Sequence, residues 1–474
     1  MFALTPVLTY ADAYPQNALC VNGDTKLCST MPVDLPGLTV AQGYAPNTDS
    51  TAPSLNAAQD NFDWFSWQMF VALNWPADGQ GNPLSNPIGS KPDAPRVWQS
   101  WSSPNQVFPG NGLNTSSCAA GKKGLVLFRN SKFSTHSFIE PFTKWPLIDQ
   151  AGNYVVYDIR MNTIEINYFQ NNNLLTKAGQ QQFTGKYDFP TGVNSTEGAT
   201  EIKTAWRILT DSSSFANYYT TPATIVVSKD NSVTGQEMCL DVTVGLVGMH
   251  IMQKITNPGQ FSDFWVWATF EHNSNAPTAQ GATPSQVNQN AAVQKHNYDP
   301  LASCPAPNSV NQTYAFYSPK CTNKGAACTP NQPPSQGSDK NFLWQSQPPY
   351  AKRYLTDGQY GTQVVRCWDI YDSANTVSAQ FQTALAGTPW ANYMLVGAQW
   401  AQASQVEFPS PVKPFAAPFY LTNTTLETYL QLQPIVVNGK PSTQASGSCI
   451  ACHNVATDSA NHPANFSFLP GYAK

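Results

Sequence analysis

Cys449-Ile450-Ala451-Cys452-His453 is a string whose residue types and spacing prescribe a chemistry. Two thiols three positions apart reach the two vinyl groups of one porphyrin, and the histidine that follows swings beneath the ring to bind iron. C-x-x-C-H therefore reads as the attachment site of one covalent haem c, with His453 as proximal ligand. The chain holds only ten cysteines and six histidines in 474 residues, so chance rarely builds the string. Two other readings use the same residues. A zinc knuckle would take Cys449, Cys452 and His453, with His462 as fourth ligand. A plain disulfide would join Cys449 to Cys452 and leave His453 incidental. No second C-x-x-C exists to complete a usual zinc site, and haem is the favoured reading.

The place of the motif limits the second axial ligand. Only Asn454 to Lys474 follow it, and none of these residues is Met, so the small-cytochrome layout with a downstream Met is excluded. The distal side is then open, or closed by His462, or closed by a residue from upstream. Met252 and His250 lead the upstream candidates; Met249, His272, His136, His296 and Met394 complete them. A methionine in a strand is ordinarily a core filler.

The other eight cysteines form an even set, which points to disulfides and an oxidising compartment. Cys20 with Cys28 and Cys321 with Cys328 are close enough for local loops. Thioether attachment follows export in bacteria, so both signals predict a periplasmic or extracellular protein. The opening MFALTPVLTYADA ends small-x-small at Ala11, Asp12 and Ala13 but lacks a basic start; it reads as a mature start rather than the tail of a clipped leader.

Hydrophobic residues make up 41 % and aromatics 12 %, enough apolar area for a large core, whereas charged residues are only 11 %. The polar surface must be built from Asn, Gln, Ser and Thr. A net charge of -4 offers no basic footprint, so nucleic acid is set aside as a partner. No apolar run approaches the ~18 residues of a spanning helix, which predicts a soluble protein without a transmembrane segment. No nucleophile elbow, P-loop, dinucleotide fingerprint, HExxH or EF-hand loop is present, and hydrolase, kinase and dehydrogenase readings have no support.

Several elements must position the motif. Apolar residues at Phe62, Phe65, Met69 and Leu73, with Trp64, Trp67 and Val71 alongside, predict a mostly buried helix over 56–75. YVVYDIRMN and TIEINYF from Asn153 onward, Thr204 to Leu209 and Ala223 to Val227 read as strands. A short helix follows Asn172 and ends near Gly185. A hairpin is expected from Leu240 to Met252, turning at Asn257-Pro258-Gly259 and returning through Asp263 to His272. That turn places His250 opposite Val266 and His272 near Val244, both on one face but about 20 Å apart along the strands. Leu246, Val266 and Ala268 would share the face of His250 and Met252 as an apolar wall. Glu271 and His272 alternate across the sheet and do not form an acid–base pair. Residues 273–350 read as irregular loops pinned by disulfides. A strand at 363–371, a helix at 374–386, a strand at 393–398 and a helix at 422–431 follow.

The strings FDWFSWQMFVALNWP, APRVWQSW, EIKTAWRIL, GLVGMHIMQKI, FWVWATFEHNSNAP, YAFYSPKC and SCIACHNVA with NFSFLP resemble a family of exported bacterial proteins labelled cytochrome c family protein, to which no reaction is assigned. The likeness spans about Phe62 to Pro470. It implies one haem on Cys449 and Cys452 with His453 as proximal ligand, and it marks GLVGMHI and TFEH as signatures, which draws attention to His250 and His272. Where relatives carry a second His two residues after the first signature His, this chain has Met252.

The expected architecture is a β-rich α+β chain: an N-terminal extension over 1–55, one large domain over 56–435, and a haem-attachment segment over 436–474 packed on it. The expected function is haem binding and electron transfer with a redox partner protein or a small-molecule donor or acceptor. A haem peroxidase or oxygenase with an open distal site is one alternative. A secreted filament-forming protein is the other, although one haem in 474 residues sets neighbouring haems far apart.

Overall fold

The computed structural model describes residues 27–33, 55–108, 118, 124–127, 145–193, 196–255, 264–282, 304, 307, 310–321, 328–333, 342–352, 361–401, 416–417, 420–431, 434–437, 440–445 and 447–474. The fold is β-rich α+β, built on one mixed sheet of eight strands. These are β1 (Leu125–Leu127), β2 (Val156–Met161), β3 (Thr200–Leu209), β4 (Thr220–Val227), β5 (Met238–Ile255), β6 (Phe264–His272), β7 (Tyr393–Ala401) and β8 (Ala416–Ala417). The 18-residue β5 organises the rest. β3 runs antiparallel along one side of it, while the other side is shared by β4, opposite 238–245, and β6, opposite 248–255. Among the strand pairs of the described residues, β1–β4 alone is parallel.

Apolar residues on both sheet faces demand cover on both. One face carries Met249, Ile251, Val266, Ala268, Phe270 and Trp400 and is covered by α1 (Leu55–Leu73). Phe62 stacks on Trp400 at 4.3 Å and Phe70 on Phe270 at 4.3 Å. All seven apolar residues expected to face the core from α1 are buried. The opposite face carries Met161, Met252, Trp265 and Trp267, and on it lies a second cluster with Ile450, Phe466, Leu469 and Tyr472 of the C-terminal segment.

Several elements depart from the sequence reading. Thr163–Asn171, which contains TIEINYF, is a helix, α2, not a strand. Asn162 caps it, its side chain accepting from the Glu165 N–H, and this cap outweighs the β-branched run. Residues 363–371 form no strand: Arg366 makes one bridge to Thr278, and side chains of Asn331 and Gln431 satisfy the neighbouring backbone. Residues 424–431 are successive turns in place of the helix expected over 422–431: Asn423 Oδ1 accepts from the Thr425 N–H as a cap would, but its amide nitrogen is tied to Thr269 and Phe270 of β6. The helices α3 (Lys177–Gln182) and α4 (Asp372–Ala384) stand where expected.

The hairpin pairs as foreseen but in another register. His250 faces Thr269, three residues from the expected Val266. An odd slip turns every side chain of one strand to the other face. Val266 and Ala268 therefore pack under α1, Trp265 and Trp267 take their place beside Met252 and His250, and His272 lies away from His250. The expected turn at 257–259 is outside the described residues.

Among the described residues three disulfides have both ends placed, Cys118–Cys239, Cys304–Cys367 and the expected Cys321–Cys328. Cys28 is also disulfide-bonded; Cys20, its expected partner, lies outside the described residues. No described helix is long and apolar enough to cross a membrane.

Candidate haem-attachment site

The register writes two rows of side chains across one face of the sheet. Met161, Glu201, Met252, Trp267 and Gln399 form the first; Ile159, Lys203, His250, Thr269 and Gly397 form the second. The C-x-x-C-H string lies over this face as one helical turn, α5 (Cys449–His453). Buried Gln399 fixes its start: its Oε1 accepts from the Ile450 N–H at 2.8 Å and from the Ser448 hydroxyl at 3.3 Å.

Cys449 and Cys452 are free thiols, so the plain disulfide reading does not hold. Burial, with the negative charge of Glu427 next in weight, pushes the Cys449 thiol well up and Cys452 to about 12. Both are kept protonated at neutral pH, the opposite of a thiol poised for disulfide exchange. His453 is held neutral as well, its pKa lowered by burial to about 4. Its Nδ1 lies 2.7 Å from the Phe466 carbonyl, which requires the proton on Nδ1 and leaves Nε2 as the nitrogen able to bind a metal. That carbonyl is aimed by unusual backbone, since Asn465 and Phe466 have φ of +46° and +67°. For a bulky residue the left-handed region costs about 1–2 kcal/mol. Trp265 holds the turn, its Nε1 lying 3.0 Å from the Asn465 carbonyl and 3.1 Å from Asn465 Oδ1. The His453 ring sits 6.0 Å from Trp267 and 5.1 Å from Phe468.

Beside the thiols lies a charged group that sequence reasoning missed. His250 Nε2 is 2.7 Å from Glu427 Oε1, and Lys203 Nζ is 3.9 Å from the same oxygen. Burial works against the Glu427 carboxylate, yet His250 and then Lys203 hold its pKa below the usual range. The Asn423 N–H fixes the other oxygen at 3.0 Å. The strand partner of His250 is Lys203, but nothing local in the sequence announces Glu427, 177 residues downstream.

The expected distal residues separate clearly. His250 and Met252 share the face beneath the motif, with Met252 enclosed among Trp265, Trp267, Ile450 and Phe466. Met249 points into the α1 core, where the Asn74 amide lies 3.7 Å from its sulfur. His272 stacks on Tyr218 at 4.1 Å and bonds to the Asn217 carbonyl, while Met394 packs at the edge of the first core. His462 is half exposed, its Nδ1 3.0 Å from Asp458. His136 and His296 lie outside the described residues.

Among the described residues no three His, Cys, Asp or Glu side chains converge as a metal-binding set, so the zinc arrangement with His462 lacks its donors. Haem c asks for a different set: two adjacent thiols for the porphyrin and one imidazole nitrogen for the iron. Cys449 and Cys452, both free, and His453, with Nε2 unengaged, are the residue types this set requires. Trp267 is buried beside His453, and its indole N–H has no partner among the described residues.

No protein-family model, curated protein or solved structure matches the chain.

Proposed function

We propose that the chain is an exported one-haem c-type cytochrome that exchanges electrons with a redox partner protein or a small-molecule donor or acceptor. Cys449 and Cys452 hold the porphyrin covalently, and His453 is the proximal ligand. The observation that carries this reading is the bond from His453 Nδ1 to the Phe466 carbonyl, which fixes tautomer and ring orientation as backbone carbonyls do for metal-bound histidines. Haem, when bound, supplies a one-electron centre. Around it Trp267, Ile450 and Phe466 exclude water, and Gln399 anchors the attachment turn. From upstream, His250 is the residue proposed to face the distal side, oriented by Glu427. The disulfides and the export that thioether attachment requires support a periplasmic or extracellular location.

The His250–Glu427–Lys203 group favours a second reading. Unbound to iron, His250 would serve as acid or base toward a small oxidant, as in a peroxidase or oxygenase. Optical spectra of oxidised and reduced protein test both. A c-type reduced spectrum with a low-spin oxidised form that His250→Ala turns high-spin supports the cytochrome with His250 as ligand. A high-spin wild type that binds peroxide quickly supports the enzyme, and absence of a haem spectrum overturns both.

A further inference from the structure

Two buried carboxyls stand outside the ion pairs described above. Glu165, in the first turn of α2, is fully buried, and Glu201 on β3 keeps 8 % of its surface. Asn162 draws them together, its Oδ1 accepting from the N–H of Glu165 and from the N–H of Thr200, the residue before Glu201. In the sheet Glu201 stands between Met161 of β2 and Met252 of β5, so both strand partners are apolar.

The nearby charges are committed elsewhere. Arg160 of β2 is held by Asp158, Lys254 of β5 by Asp188, and Lys203 and His250 face Glu427. In the C-terminal segment Asp458 is taken by His462 and Tyr187, and Ser467 offers its hydroxyl to Glu201. As two carboxylates, the pair would leave both Glu165 oxygens and Oε1 of Glu201 without a donor in a buried place. One proton between them supplies that donor and removes the repulsion.

We propose that Glu165 and Glu201 form a proton-binding site in which Glu165 stays protonated and donates to Glu201, and Glu201 takes up a second proton when an electron reaches the His453 site. Burial, then the charge of Glu201, pushes Glu165 far above the usual range. Burial pushes Glu201 to about 7, while hydrogen bonds from Ser467 and Glu165 work against it. The second proton is therefore exchangeable at neutral pH. The path to the redox site is short in chain terms: Ser467 follows Phe466, whose carbonyl holds His453. In the coupled step one electron comes from the redox partner and one proton from solvent, taken up by Glu201, which keeps 8 % of its surface. The only bond formed is its O–H, and oxidation reverses both. This coupling rests on the haem reading; the buried proton does not.

Infrared spectra of the full chain test the proton whether or not haem is present. At pH 8.5 the wild type should show a carboxylic-acid C=O band that Glu165→Gln removes, and between pH 5.5 and 8.5 a second such band should titrate and vanish in Glu201→Gln. On the haem protein the reduction potential should fall with rising pH across about 6 to 8 and be flat in Glu201→Gln. Ser467→Ala, which only removes a hydroxyl, should move the midpoint of that pH dependence upward. Absence of both infrared bands overturns the proton site, whatever the haem content. Bands present with a pH dependence that survives Glu201→Gln overturn the coupling alone.

Discussion

Glu271 clamps the loop that carries Glu427, and its replacement by Gln should be costly. The side chain is fully buried and bonds to both terminal nitrogens of Arg366, at 3.2 and 2.8 Å, while the Thr424 N–H and hydroxyl donate to its two oxygens. Glu271→Gln keeps the shape but leaves the Arg366 guanidinium buried without its counter-charge. Breaking a buried pair from one side costs about 3–5 kcal/mol. Urea denaturation followed by circular dichroism should show a loss of that size, and hydrogen exchange should speed up within 420–431, where Glu427 is held. The companion variant Arg366→Met should cost a similar amount. The double variant should cost less than the sum, because neither charge is then stranded. A loss under about 1 kcal/mol for Glu271→Gln, or full additivity in the double variant, would refute the clamp.

Two further outcomes follow from single residues. Burial lowers His272 from 6.5 to about 4, so its neutral form stabilises the fold fully above 6.5, and the contribution, about 3 kcal/mol, is lost as pH falls through that window. Acid titration of stability in His272→Gln should lack that part of the slope, and an unchanged slope would exclude this residue as its source. A Cβ added at Gly248 would stand 2.2 Å from Thr425 Oγ1 and 3.0 Å from Asn423 Oδ1, so Gly248→Ala should lose about 1–3 kcal/mol and weaken the His250–Glu427 contact; denaturation and the imidazole NMR signals report the two effects.

Legibility from the sequence followed how local each signal is. The 3.6-residue spacing of α1 and the β-branched runs of β3 and β4 are local, and they stand where expected. The attachment motif is local too. The face of β5 was not, because its register depends on β3, β4 and β6 together rather than on one turn. An odd slip of three exchanged Val266 and Ala268 for Trp265 and Trp267 as neighbours of Met252. In the same way a β-branched run hid the Asn162 cap of α2, and with it the meeting of Glu165 and Glu201. Glu427 and Phe466 act through contacts that no spacing rule connects to His250 and His453.

The central claim, that Cys449 and Cys452 carry a covalent haem above His453, is met most directly by the intact mass of the protein. The sample is the full chain exported by a host that matures c-type cytochromes, measured after acid–acetone extraction of any loose haem. The expected result is the mass of the chain plus one haem, with neither cysteine open to alkylation, and loss of that added mass in the Cys449→Ala, Cys452→Ala variant. The mass of the bare chain, with both thiols alkylated, would contradict it.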